Sequence, residues 1–182
     1  MKKGVIIYRS KYGATRKYAQ WLRELTRFDC AEASNEAWSR AADYESIVMC
    51  GGIYASGIAG LSFLKKNMGR LSGHRVFVFC VGASPYDERA FEAIRARNLT
   101  GSLREIPLFY GRGAWDEDKM TGGDRFLCRL LQRSLQKKDP ASYEPWERAL
   151  VEATGKACDW TDRQYLRPLL EAVNSEGQGS GE

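Results

Sequence analysis

The chain has 182 residues, of which 43% are hydrophobic and 28% are charged, and its formal net charge is +5. This balance suits one soluble domain, since no apolar run approaches the roughly 20 residues that span a bilayer and no signal peptide precedes the first apolar run. The five cysteines lack metal-ligand spacing and His74 is the only histidine, so we predict no metal site and reduced thiols, as in a cytoplasmic protein.

Short apolar runs alternate with helical patterns over the first 110 residues. Strands are predicted at Gly4–Tyr8, Cys30–Ala33, Ser46–Cys50, Arg75–Val81 and Ile106–Tyr110. Helices are predicted at Ala14–Thr26, around residues 61–68, and after Ser84, which would be the N-cap. Arg75–Val81 is apolar on both faces, as expected of a central parallel strand. The alternation predicts right-handed crossovers and a doubly wound parallel sheet with helices on both faces.

The alternation stops after Tyr110. Residues from about 111 to 158 form an insert with two helical patterns, and a last helix is predicted from Thr161 to Val173. Gln164 would complete a capping box in that helix, and Pro168 should kink or divide it. We therefore predict a single domain over residues 1–173 and a disordered polar tail over residues 174–182.

Three segments follow strands whose carboxyl ends meet at one edge of such a sheet, where ligands of open α/β proteins bind. They are Arg9–Thr15, Gly51–Gly57 and Gly82–Tyr86. In the first, Ser10 and Thr15 supply hydroxyls and Gly13 allows close approach of an anion to the start of a helix. The same residues also suit an ordinary capped turn, so this stretch alone leaves both interpretations open.

Other phosphate-binding classes lack their defining residues. The chain has no Walker loop, and Gly111-x-Gly113 lacks the third glycine of a dinucleotide fingerprint. A receiver domain needs acidic residues at the ends of its first and third strands. In this chain those ends are Tyr8-Arg9 and Cys50-Gly51, which contain none. No cysteine has the Cys-x5-Arg spacing of a small tyrosine phosphatase.

The segment "IIYRSKYGATRKYAQWL" resembles the phosphate loop and first helix of flavodoxins. "IVMCGGIYASG" is similar to their second flavin loop, and "FCVGASPYDE" to their third. The resemblance extends from Met1 to about Tyr110, although Tyr12 stands where the usual motif has its middle threonine. It implies a flavodoxin-like five-stranded sheet of order 2-1-3-4-5 and FMN as the cofactor.

The resemblance also implies which residues bind the flavin. The phosphate would be held by Ser10, Lys11, Tyr12, Gly13, Ala14 and Thr15. The ring would be contacted by Gly51, Gly52, Ile53, Tyr54, Ala55, Ser56 and Gly57 of the second loop and by Val81, Gly82, Ala83, Ser84 and Tyr86 of the third. Tyr54 is the expected stacking residue, whereas Tyr86 suits either a second ring contact or the first turn of a helix. No catalytic side chain is predicted, because the flavin itself carries redox chemistry.

The insert sequence "WDEDKMTGGDRFLCRLLQRSLQKKD" resembles the basic segment of the menaquinone-dependent protoporphyrinogen oxidase branch of this superfamily. Its cations form a stripe with a spacing of four residues: Arg125, Arg129, Arg133 and Lys137. Its apolar face consists of Phe126, Leu127, Leu130, Leu131 and Leu135. The helix would either pack on the domain with its cations in water or lie on an anionic membrane surface. The second alternative would place the protein at the inner face of the cytoplasmic membrane.

Three functions are compatible with these patterns. The first is an FMN-binding oxidoreductase that passes electrons between a reduced organic substrate and a quinone or other acceptor, in the manner of the protoporphyrinogen oxidases. The second is a small electron carrier that docks to partner enzymes, and the third is a flavin-free binding module. The insert and the positive charge favour the first over the second, and the three loops disfavour the third. No nucleic-acid partner is predicted.

Overall fold

The computed structural model of the protein describes residues 2–175. Its strands are β1 Lys2–Arg9, β2 Asp29–Glu32, β3 Tyr44–Tyr54, β4 Gly57–Ile58, β5 Arg75–Gly82, β6 Leu108–Arg112, β7 Ala114–Asp116 and β8 Ala157–Asp159. Its α-helices are α1 Ala14–Thr26, α2 Asn35–Ser39, α3 Leu61–Asn67, α4 Glu88–Asn98, α5 Gly122–Leu135, α6 Pro145–Glu152 and α7 Arg167–Ser175. None of the helices within this range is both long and apolar enough to cross a bilayer.

The main sheet has the order β2-β1-β3-β5-β6, and these strands are parallel. Counted without the short β4, this is the predicted order 2-1-3-4-5, so the fold expectation is confirmed. The third strand is longer than its apolar run, because β3 continues to Tyr54 and turns back into the antiparallel β4. This extension carries the second predicted flavin loop beyond the edge of the sheet.

Strand residues alternate between two apolar layers, which explains why the strands are buried on both faces. On one face, Ile7, Ile47 and Val78 pack with Trp38 of α2 and Leu64 of α3. On the other face, Ile6, Val48 and Phe79 pack with Tyr18 and Leu22 of α1 and with Leu166, Leu169 and Val173 of the C-terminal segment. The two layers hold the carboxyl ends of β1, β3 and β5 side by side.

The insert between β6 and α7 has its own small framework. Strands β7 and β8 pair antiparallel and bring the two ends of the insert together. Between them, α5 packs against α6, where the Tyr143 hydroxyl donates to the Leu135 carbonyl at 2.7 Å and Lys138 pairs with Glu147 at 2.7 Å. Sequence patterns predicted both helices but not the β7–β8 pairing, because three-residue strands carry almost no periodic signal.

Two predicted helix starts are wrong. The cap of α4 is Asp87, whose carboxylate accepts from the Ala90 N–H at 2.8 Å, while the carbonyl of Ser84 accepts the Tyr110 hydroxyl at 2.5 Å and remains in a loop. Thr161 is not a cap either, because its hydroxyl donates to Asp159 at 2.6 Å. Asp162 instead caps a 3₁₀ turn.

The predicted last helix is divided near Pro168, as the proline indicated. A 3₁₀ turn over Arg163–Leu166 precedes α7, and Pro168 stands in the first turn of α7, where its missing N–H is tolerated. The helix continues to Ser175, so the first two residues of the predicted disordered tail are helical. Residues 176–182 of that tail lie outside the described residues.

Candidate flavin site

A groove of about 310 Å³ lies at the carboxyl ends of β1, β3 and β5. All three predicted loops contribute to it. The residues from these loops are Lys11, Tyr12, Ala14, Thr15, Gly52, Ile53, Tyr54, Ala55, Val81, Gly82 and Ala83. The groove therefore brings together residues that are about 70 positions apart in the sequence, as the topology of a doubly wound sheet requires.

The first loop ends in an uncapped helix N-terminus. The N-cap of α1 is Gly13, at φ +99°, and none of the described side chains caps the first N–H groups of the helix. The Ser10 hydroxyl oxygen accepts from the Gly13 N–H at 3.1 Å and so stabilises the turn that precedes the helix. A Cβ at Gly13 would meet no atom within 4 Å, so the space beside the loop is open. These features favour an anion cradle over a capped turn.

Tyr54 connects the second loop to the first. Its hydroxyl oxygen accepts from the backbone N–H of Lys11 at 3.2 Å, and its ring lies edge-on to Tyr12 with centroids 6.2 Å apart. Burial raises the pKa of the Tyr54 hydroxyl, so this group is neutral at physiological pH. A Cβ at Gly52 would stand 2.7 Å from the Tyr54 hydroxyl oxygen, so a larger residue there would displace the tyrosine ring.

The tip of the second loop has an unusual backbone. Ala55 and Ser56 have φ values of +46° and +65°, which cost energy for residues other than glycine. Asn98 of α4 holds this tip, since its amide donates to the Ser56 carbonyl at 2.8 Å and accepts from the Ile58 N–H at 2.9 Å. Asn98 was not among the predicted site residues, because a polar residue at a helix end gives no sign of a distant partner.

The third loop lines the groove with Val81, Gly82 and Ala83, while Tyr86 packs against other aromatic rings. The Gly113 N–H donates to the Gly82 carbonyl at 2.7 Å, and Arg112 Nε donates to the Ala83 carbonyl at 3.1 Å. Tyr86 instead packs on Phe91 and Tyr110, with ring centroids 5.5 and 5.9 Å apart. It lines two further clefts, one of them together with Ile53, Gly82 and Ala83 of the groove wall. Because α4 begins only after its cap Asp87, a place in the first turn of the helix is wrong, whereas contact with the flavin ring stays a prediction.

Several other predicted residues lie beside the groove rather than in its wall. Gly51 is buried, and a Cβ there would meet the Ala59 carbonyl at 2.3 Å. The predicted residues that do not line the groove are Ser10, Gly13, Gly51, Ser56, Gly57, Ser84 and Tyr86. Ser10 and Gly13 still shape the first loop, and Ser56 and Gly57 form the turn that presents Tyr54.

The insert forms a wall of the groove that the sequence did not reveal. Its lining residues are Gly113, Ala114, Trp115, Met120, Asp124, Leu127, Cys128 and Leu131. Four of these belong to α5 at positions 124, 127, 128 and 131, which share one side of a helix. The spacing was visible in the sequence, but nothing in it showed that this side faces the flavin loops.

Asp124 anchors α5 to the first loop. Its carboxylate pairs with the Lys11 ammonium group and accepts a hydrogen bond from the Tyr12 hydroxyl. The pairing raises the pKa of Lys11 and lowers the pKa of Asp124, in each case chiefly through the hydrogen bond between them. Both groups are partly exposed, so the contact positions the insert more than it stabilises the fold.

Cys128, also in this wall, is a protonated thiol at physiological pH. Burial raises its pKa, and the charges of Glu117 and Asp124 raise it further. A neutral thiol is a small apolar group and a poor nucleophile. Its contribution to the groove is therefore to the apolar surface.

The parallel sheet, the uncapped first helix and the three converging loops define a flavodoxin-like α/β protein. The profile of the family described as a flavodoxin domain matches residues 5–142 of the chain. Because this match covers most of the chain, the protein belongs to the flavodoxin family. No curated protein matches the chain.

Several solved structures are similar at low identity. The Trp repressor binding protein from Bacillus subtilis is 13% identical, with 61% of this chain and 85% of that chain covered and a TM-score of 0.44. The WrbA-like flavodoxin from Agrobacterium tumefaciens is 18% identical, with 71% and 92% covered and a TM-score of 0.41. A flavoprotein in complex with FMN from Lactobacillus acidophilus is 15% identical, with 62% and 93% covered and a TM-score of 0.39.

Family membership identifies FMN as the cofactor, and the groove has the features that this cofactor needs. The open space beside Gly13 faces free N–H groups of a helix N-terminus, which suits a phosphate. Beyond that loop the groove is lined by Ile53, Tyr54 and Val81, which suit a flat aromatic ring. Bound FMN supplies electron transfer, and the chain binds, orients and shields it.

Thr15→Ala is expected to weaken FMN binding by roughly ten- to a hundredfold. Thr15 is only 2% exposed and lines the groove at the start of α1. A hydrogen bond to a charged phosphate contributes about 1.5–3 kcal/mol, and alanine removes the donor. Flavin fluorescence titration measures the loss.

Thr26→Ala is the matched control, because Thr26 ends the same helix and its hydroxyl donates to the Leu22 carbonyl at 2.7 Å. It should lower stability slightly and leave the affinity for FMN unchanged. Equal affinities of wild type and Thr15→Ala would show that the Thr15 hydroxyl does not contact the phosphate.

Proposed function

We propose that the protein is an FMN-dependent oxidoreductase that passes electrons from a reduced organic substrate to a quinone, in the manner of the protoporphyrinogen oxidases that its insert resembles. The observation that supports this most directly is the apolar wall that α5 adds to the groove. Leu127 and Leu131 of this wall face the same space as the flavin loops. An apolar ring system would be bound there next to the flavin.

The redox step balances without a further co-reactant. In each turnover the donor loses two electrons and two protons, and the quinone takes up the same number to become a quinol. The chain's residues would contribute by binding and by excluding water: Tyr54 and Leu131 cover the groove, and the Lys11–Asp124 pair keeps the insert against the first loop. The net charge of +5 suits an anionic donor such as a porphyrinogen carboxylate.

Anaerobic turnover with two small molecules tests the proposal. The FMN-loaded chain is mixed with protoporphyrinogen and the short quinone menadione, and porphyrin fluorescence is followed. Many porphyrins formed per flavin, and none with flavin-free protein, would support the function. An electron carrier would give no turnover with this pair and would instead pass electrons rapidly to a protein acceptor such as cytochrome c. That outcome would replace the proposal.

Leu131→Asp is expected to slow menadione turnover by roughly ten- to a hundredfold while the chain still binds FMN. A carboxylate in the apolar wall must lose hydration when the quinone enters, at a cost of about 1–3 kcal/mol. The loss should appear mainly in the KM for menadione. Leu25→Asp is the control, since Leu25 is an exposed leucine of α1 and does not line the groove. Equal KM values for the two variants would contradict a quinone site at this wall.

A further inference from the structure

Helix α5 leaves a row of large apolar side chains in solvent. Phe126 is 70% exposed, Leu127 51%, Leu130 53% and Leu131 40%. On a helix, positions 126, 127, 130 and 131 lie on successive turns of one side, so the four side chains form a continuous surface. We call this surface the outer face of α5.

The packing of α5 on the domain uses a different side of the helix. Gln132 and Leu135 are its buried residues, and Gln132 Nε2 donates to the Glu117 carboxylate at 2.9 Å. Of the apolar residues predicted for an inward face, only Leu135 is buried. The alternative in which α5 is simply a packed cover therefore leaves Phe126 and Leu130, which do not line the groove, without an explanation.

Cations border the outer face along one edge. Arg129, Arg133 and Lys137 follow one another at intervals of four residues, and all three are exposed. Arg129 is 60% exposed, with its Nε 4.0 Å from Glu117. Residues 125–138 contain no aspartate or glutamate. The surface is therefore apolar and cationic, without acidic residues in its span.

Arg125 does not belong to this edge, although its spacing predicted it. Its guanidinium group donates to the carbonyls of Glu117 and Asp118, each at 2.8 Å, and to that of Met120 at 3.4 Å. These bonds hold the 3₁₀ turn that precedes α5. Arg125 therefore has a structural role, and the cationic edge consists of the other three residues.

We propose that the outer face of α5, with Arg129, Arg133 and Lys137, docks on an anionic lipid bilayer. Apolar side chains beside a line of cations complement the acyl and anionic headgroup layers of such a surface. A second copy of the chain is a poorer occupant, because a symmetric contact would bring the two cationic edges together. The proposal rests on the proposed function in one respect, namely what docking would supply to the flavin groove.

Docking at this helix would place the groove beside the bilayer. Leu127 and Leu131 belong to both surfaces: they line the groove and form part of the outer face. A quinone with a long apolar tail would then reach the groove from the membrane without crossing water. The proposed partner is thus a lipid surface that contains the electron acceptor.

Vesicle sedimentation of the full FMN-loaded chain tests the docking separately from the chemistry. Wild type should sediment with vesicles of phosphatidylcholine and phosphatidylglycerol at low salt, and much less with phosphatidylcholine alone. Replacing Arg129, Arg133 and Lys137 by glutamine should weaken this binding by about a hundredfold, since each cation contributes about fivefold near an anionic surface. High salt should reproduce most of that loss.

A second variant, Phe126→Ser with Leu130→Ser, tests the apolar contribution. Neither residue lines the groove, so FMN content and menadione turnover without vesicles should be unchanged. Binding to anionic vesicles, and turnover with a long-tailed quinone in those vesicles, should fall together. Leu25→Ser, which alters an exposed leucine on α1, should change neither.

Three results would overturn the proposal. The first is that wild-type protein does not bind anionic vesicles at low salt, and the second is that vesicle binding survives both sets of substitutions. The third is that the protein has no vesicle affinity but forms a concentration-dependent dimer, which Phe126→Ser with Leu130→Ser abolishes. The third would identify a second copy as the partner. Failure of menadione turnover with intact vesicle binding would count against the proposed function alone.

Discussion

Gly13→Val is expected to weaken FMN binding by more than about a hundredfold. The Cβ of valine would project into the open space beside the first loop, and its branches would fill the position of the phosphate. At least two hydrogen bonds to a charged group would be lost, at about 1.5–3 kcal/mol each. Titration of folded protein with FMN measures the affinity, and riboflavin, which lacks the phosphate, should be affected much less.

Backbone strain needs its own control, because Gly13 has a φ of +99° and a branched residue there costs about 1–3 kcal/mol of folding free energy. Gly73 offers a match: its φ is +83°, a Cβ would also meet no atom within 4 Å, and it precedes β5 at the opposite edge of the sheet. Gly73→Val should lower stability to a similar extent and retain FMN affinity. If both variants bind FMN as wild type does, the phosphate does not lie at Gly13.

The central sheet was predictable because its signal is local. Arg75–Val81 is apolar on both faces and forms the inner strand β5 between β3 and β6, and Gly13 and Thr15 stand at the start of α1 as their types indicate. For each of these residues, its own chemistry or that of its close neighbours in the sequence indicates its structural environment. The strands and the first loop could therefore be derived before any coordinates, whereas the order of the strands was implied by the resemblance to flavodoxins.

The remaining parts of the site depend on contacts between distant segments. Asp124 lies 113 residues after Lys11, its partner, and its position in the first turn of a helix would equally suit an ordinary dipole interaction. Asn98 gives as little indication that it holds the second loop. Apolar periodicity showed that α5 is amphipathic, but it did not show which face would pack, and the larger apolar face lies in solvent.

Tyr86 illustrates the same limit within a predicted loop. Sequence position placed Tyr86 in the third flavin loop, as it placed Tyr54 in the second. The backbone decides between them: the Ser84 carbonyl is bound by the Tyr110 hydroxyl, and Tyr86 then packs on Tyr110 and Phe91. The two tyrosines therefore make a direct test of which ring contacts the flavin.

Tyr54→Ala is expected to weaken FMN binding by roughly thirty- to several hundredfold and to shift the reduction potential of the bound flavin. Removing a stacked aromatic ring costs about 1–3 kcal/mol, and loss of the acceptor for the Lys11 N–H adds about 1 kcal/mol. Tyr54→Phe separates these effects, since it keeps the ring and should cost only about fivefold. Tyr86→Ala should cost less than Tyr54→Ala, because Tyr86 packs on Phe91 and Tyr110 and does not line the groove itself. Titration and spectroelectrochemistry of the three variants measure both quantities, and a larger loss in Tyr86→Ala than in Tyr54→Ala would transfer the stacking role to the third loop.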